Sequence, residues 1–205
     1  MTRKIDELNN LNTYTGQIDW RKFYDAMDLP EERERERVIV ADKLFALFLA
    51  LFVLVESVQD YEICYLYFED GLRQIVDKYG FLDAYSTLYI ERFARDYLDV
   101  TFNRMNESDY WTSDDRAILA SLNESNAIVE YDELQDAIEN GCEFKIWRTE
   151  NDNKVRPTHR VMEEKKIPID EFFIVGNEQL LYPRDEVNCE DLREIASCRC
   201  HLDYE

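Results

Sequence analysis

The chain has 205 residues, 45% of them hydrophobic and 13% aromatic, which suffices for one core of ordinary size or two small ones. Its 45 Asp and Glu against 24 Lys and Arg leave 21 net negative charges. That balance argues against binding duplex nucleic acid through the general surface, because such affinity comes from neutralising phosphates with basic side chains. It suits instead a basic partner, or a nucleic-acid-binding protein deceived by acidic charge.

The opening stretch "MTRKIDELNNLNTY" lacks the apolar segment of a secretory signal, so the chain is expected to stay in the cytoplasm of the cell that makes it. From Pro30 to Gly71 there is neither proline nor glycine, and the pattern predicts helix, with stop signals at Gly71 and Gly80. The acidic and basic run at 31 to 37 is expected to be a solvated helix start. Its most apolar part, "LFALFLALFVLV" at 44 to 55, has 12 residues, short of the ~20 that cross a bilayer. We expect this helix, taken as running to about residue 68, to be buried nearly all round and not inserted in a membrane. Residues 82 to 105 repeat apolar side chains every three or four positions, as in Leu88, Phe93, Tyr97 and Val100, and form an amphipathic helix that needs a partner. A further helix follows, with Thr112 or Ser113 as N-cap, acids in its first turn and Gly141 as its stop.

From Cys142 the pattern changes. "CEFKIWRT" alternates Phe144 and Ile146 with Lys145 before Trp147, as a short half-buried strand does. "IPIDEFFIVG" and "QLLYPRD" add extended pieces closed by Gly176 and Pro183, and "CEDLREIASCRC" reads as a last helical turn running into a loop or strand. The fold class is therefore α+β: a helical region over 1–140 that docks a partner or forms a bundle, then a small α+β module over 141–205. Five cysteines, at 64, 142, 189, 198 and 200, are too few and too clustered for a disulfide framework. Cys64, in "YEICYLYF", is read as a small buried hydrophobe.

Between 113 and 201 a set of residues recurs in one order: Trp147, Asp152, Arg156, His159, Pro183, Glu194, Cys198, Arg199 and Cys200. This string resembles the phage Mu F-like minor head protein family, the head morphogenesis domain of tailed bacteriophages. The resemblance implies a non-catalytic minor capsid protein that meets portal, capsid or scaffolding proteins during procapsid assembly and, in some phages, takes part in DNA ejection. It implies localisation in the virion, or in the host cytoplasm during assembly. Two positions depart from the family pattern: Glu164 stands where the family has Gly, and Ser197 where it has Asn. Since Glu tolerates positive φ poorly, the loop after His159 is expected to be rebuilt.

The same residues admit several chemistries. Trp147 is expected in the core with its indole N–H directed at a carbonyl. Asp152 and Arg156, four apart, are expected to form a charge-assisted pair that pins the loop, with Pro157 fixing the chain direction after it. His159 then either hydrogen-bonds within that network while the cysteines pack as small apolar groups, or joins Cys198, Cys200 and His201 around a structural zinc, with Cys189 and Cys142 as substitute ligands. Either way, the cluster staples the terminal segment back onto the 148–160 loop, and Arg199 is counted with Trp147, Asp152, Arg156 and His159 in one structural network. No nucleophile, phosphate-cradling glycine loop or paired-carboxylate pattern accompanies Asp152 or His159, so an enzyme is not expected. A metal-dependent hydrolase on Asp152, His159 and the cysteines is the weakest alternative. A stronger one is an acidic phage-encoded inhibitor that mimics nucleic acid and occupies the groove of a host defence enzyme. Oligomeric state stays open.

Overall fold

A computed structural model describes residues 18–24, 27 and 29–205. A short helix, α1 (Arg21–Tyr24), precedes four long ones: α2 (Glu31–Val58), α3 (Tyr61–Tyr79), α4 (Ala84–Arg104) and α5 (Asp114–Glu139). After α5 come β1 (Phe144–Arg148), the single-turn α6 (Pro157–Arg160), β2 (Lys166–Pro168), β3 (Phe173–Val175), β4 (Glu178–Leu180) and β5 (His201–Tyr204). The arrangement is α+β, helical first and then a small module of short strands.

Local chemistry sets the helix ends. Glu31, Glu32 and Glu34 occupy the first turn of α2, where the N-terminal dipole favours carboxylates. That helix stops at Gln59, which turns left-handed at φ 54°. Asp60 then caps α3, its side chain accepting from the Ile63 N–H at 3.1 Å. The uninterrupted helix expected to about residue 68 is thus two helices, and the break carries no glycine or proline because an Asp N-cap suffices to start α3. Gly71 does not end a helix; it lies inside α3, where an added Cβ would come within 2.4 Å of Leu47 Cδ1. Its role is to let α3 approach α2 closely. The stop falls at Gly80, whose N–H bonds the Val76 carbonyl at 2.9 Å. Asp83 and Ser86 close a capping box on α4, and Ser113, of the two caps expected, begins α5.

The apolar stretch of α2 is longer than its 12 central residues suggest: the 28-residue helix contains an 18-residue window of mean hydropathy 2.6, enough by length and composition to span a bilayer. Half of that window is buried within the fold. Phe48 meets Phe68 of α3 and Tyr97 of α4, ring centroids 5.4 and 4.8 Å apart, and Arg37 on the same helix is fully buried against α5. These contacts make α2 the central helix of a bundle.

Two cores share α5. Ile128 and Val129 belong to the helical core, while Tyr131 and Leu134 join Trp147, Phe173, Leu180, Tyr182 and Leu202 in the core of the module. The larger sheet is antiparallel with order β2-β1-β5, and Trp147 lies opposite Leu202. The central strand β1 is buried on both faces at Lys145, Ile146 and Trp147, not half-buried. Lys145 is tolerated there because its Nζ donates to the Leu181 carbonyl at 2.8 Å, and burial pulls its pKa down to about 8. Residues 192–197 form turns rather than a helix, with Glu194 N and Ala196 N donating to Asp191 O and Leu192 O.

Candidate metal centre

At the candidate site β1 and the loop that follows it meet a segment from some fifty residues further along the chain. The first of these three pieces is the loop from Thr149 to α6. Here the Asp152 carboxylate accepts the backbone N–H of Lys154 and of Val155, at 2.8 and 3.1 Å, and so makes a tight turn from its own side chain. Pro157 opens α6 at the position where a missing N–H costs nothing, and two residues later His159 points inward, 1% exposed. The second is β1 itself, whose Trp147 stands edge-on against the His159 ring at 5.6 Å. The third is the "SCRC" segment that leads into β5.

Cys198, Cys200 and His159 form a buried trio whose ligand atoms all lie within 4.8 Å of one another. His159 Nδ1 is 3.4 Å from each sulfur, and the Cys200 N–H approaches the Cys198 sulfur at 3.4 Å. The Cys200 thiol, His159 and Arg184 together hold the Cys198 thiol well below its ordinary pKa despite burial, whereas the Cys198 partner and burial push Cys200 up. On the far side of the ring, His159 Nε2 comes to 3.3 Å of Glu194 Oε2. That contact is within ion-pair distance but off the hydrogen-bonding line. Glu194 is itself held by the Thr158 hydroxyl at 2.7 Å, and Gly176, at φ 62° in the β3–β4 turn, leaves it room, since a Cβ there would stand 3.1 Å from Glu194 Oε1.

Every residue of the terminal segment is tied to the body. Arg156 donates to the Ala196 carbonyl, and the Ser197 N–H reaches Asn123 Oδ1 at 3.0 Å. Arg184 donates to the Cys198 carbonyl and, at 2.6 Å, to Asn123, while Arg199 makes two 2.8 Å bonds to Asp152. The terminal segment is therefore stapled to the loop, as expected, but by different pairs. Asp152 and Arg156 do not pair: a four-residue spacing aligns side chains only on a helix, and 152 to 156 is a turn.

Other expectations are corrected as well. Trp147 is fully buried, yet no carbonyl accepts its indole N–H, which lies close enough to Cys200 to favour its thiolate. His201 is not part of the trio. It lies on β5 opposite Arg148, and burial and the nearby Arg33 and Arg37 lower its pKa to about 4; strand alternation turns it away from the face of Leu202 and the module core. Cys189 is buried with its thiol on the Asp191 carbonyl at 3.2 Å, and Cys142 follows α5; neither reaches the trio. Cys64 is buried in the helical core as expected. The loop after His159 keeps its left-handed corner, because Glu164 takes φ 59° while its N–H bonds the Trp147 carbonyl at 2.9 Å. Ser197 likewise adopts φ 53°. Arg184, Asn123 and Thr158, which complete the frame, were not legible in the sequence, since each joins the site through the tertiary fold and none sits in a recurring spacing.

Two sulfurs and one imidazole nitrogen are a donor set for a borderline or soft metal ion, and a carboxylate behind the imidazole is the usual outer partner that orients such a ligand. The cluster can therefore bind a metal. No protein-family model, curated protein or solved structure matches the chain.

Proposed function

We propose that this is a non-catalytic phage head morphogenesis protein of the Mu F-like kind, whose C-terminal module is stapled by a structural zinc and whose helical part docks on portal or scaffold. What supports the reading is that residues carrying the resemblance, far apart in the sequence, gather at one point. His159, Cys198 and Cys200 supply zinc donors, Trp147 walls them, Glu194 backs the histidine, and Arg156, Arg199 and Asp152 fasten the loop to the terminal segment. A bound zinc would neutralise the two thiolates and tie α6 to the start of β5, adding folding free energy to a module with short strands. The 21 net negative charges would meet basic surfaces on the assembly partners.

Native mass spectrometry of the purified protein, alone and mixed with the portal protein of the same phage, tests both parts. A zinc adduct that a chelator removes and that Cys198→Ser abolishes, together with a portal complex, is the expected result. A protein that ignores portal and scaffold yet inhibits a host nuclease would transfer the function to nucleic-acid mimicry.

A further inference from the structure

We infer that the metal centre has only three protein donors and an open fourth position that holds solvent and exchanges it for small anions. This rests on the metal reading above, and it goes beyond a closed staple, in which four protein ligands fill a tetrahedron. Among the described residues, the group of His, Cys, Asp and Glu ligand atoms able to share one ion stops at His159, Cys198 and Cys200. Of the nearby candidates for a fourth, Glu194 lies on the Nε2 side of the imidazole, away from the Nδ1 that faces the sulfurs, Cys189 bonds the Asp191 carbonyl, and His201 faces the Arg33 and Arg37 side; Glu150, in the lining of the adjoining cavity, is outside the group of converging ligand atoms.

What adjoins the three donors is space. A cavity of about 20 Å³ is lined by His159, Cys198 and Cys200 together with Lys154, Arg156 and Arg199. That volume holds about one water molecule. The lining carries Lys154, Arg156 and Arg199 against one acid, Glu150, and even with Asp152 paired to Arg199 the balance favours a negatively charged ligand. The ligand class is thus a small monoanion, or the hydroxide of the bound water, and no bond of a substrate is broken in the exchange.

Cobalt(II) in place of zinc gives a visible spectrum sensitive to the donor set, so the full-length cobalt protein is titrated with azide, and the zinc protein is measured by X-ray absorption. The expected first shell is two sulfurs at about 2.3 Å and two light atoms at about 2.0–2.1 Å, and the cobalt bands should shift saturably with azide in the wild type and in Glu150→Gln alike. A third sulfur, or bands indifferent to azide, overturns the open position while leaving the metal reading intact. An azide response confined to Glu150→Gln also overturns it, by showing that Glu150 fills the place. A protein that retains neither cobalt nor zinc overturns the metal reading and this inference with it.

Discussion

At the scale of single residues, the centre depends on side chains whose loss has separable consequences. Cys198→Ser and His159→Ala each remove one of three donors, and we expect metal affinity, read by competition with a chromophoric chelator, to fall at least tenfold in each. Glu194→Gln leaves the donors in place but weakens the carboxylate behind the imidazole, so a loss of about 10-fold in metal affinity is expected, with the metal-free fold unchanged. Trp147 is different in kind. It fills the module core and borders both His159 and Cys200, so Trp147→Ala should cost about 3–5 kcal/mol in denaturant unfolding even of the metal-free protein.

Elements are held in place by a few interactions that cross between them. Arg37 on α2 is fully buried and reaches Glu130 and Glu133 of α5 at 2.7 Å each, and Asn126 at 3.1 Å, while Arg33 pairs with Glu133. Glu130 in turn accepts the Leu202 N–H at 2.6 Å, so the same carboxylate connects the helical bundle with the terminal strand. Removing the guanidinium by Arg37→Met leaves the buried Glu130 carboxylate without its close cation, while Glu133 keeps Arg33, and a loss of about 3–5 kcal/mol is expected in chemical denaturation. Adding Glu130→Gln should recover part of it, because the uncompensated charge goes. By contrast, Asp60→Ala removes only the α3 cap and should cost about 1 kcal/mol by the same measurement.

The molecule as a whole carries excess acid, and some of it is buried. Burial pushes Glu124 up to about 7, and burial, then Glu124 and Asp96, push Glu186 up to about 8, both from an ordinary 4.5. Between 4.5 and those values the folded chain holds protons that the unfolded chain releases, so their contribution to stability falls as pH rises through that window. His201, held down to about 4, acts oppositely below its ordinary 6.5. Above that point the two acids act against Cys198 and Lys145, whose lowered pKa values make stability rise with pH, so the test compares variants: from about pH 6.5 to about pH 8 the melting temperature of chelator-treated protein should change more favourably in Glu124→Gln with Glu186→Gln than in the wild type, by scanning calorimetry. An identical change in the two proteins would contradict the assignment of Glu124 and Glu186. Since the second core takes Tyr131 and Leu134 from α5, a fragment of residues 141–205 alone should lack a cooperative near-ultraviolet transition.

The helical first part and the change to strands after Cys142 were decided by the sequence, because period, capping residues and breakers act over a few neighbouring positions. The 44–55 stretch, expected to be buried nearly all round, instead leaves Val53 exposed, since which side of α2 its neighbours cover is set by packing. The break at Gln59 escaped because it carries neither glycine nor proline, and only an Asp cap marks it. At the site, residue types and their order placed His159, Cys198 and Cys200 in a candidate ligand set that also held His201, with Cys189 and Cys142 as substitutes, and brought the terminal segment back to the loop. Which side chains pair was decided by tertiary structure alone: Asp152 turns to Arg199 because 152–156 is a turn, and His201 leaves the cluster because a strand alternates its faces. Arg184 and Asn123 enter from a turn and from α5, 61 positions apart. Such partners are set by how layers pack, a property that no local spacing encodes.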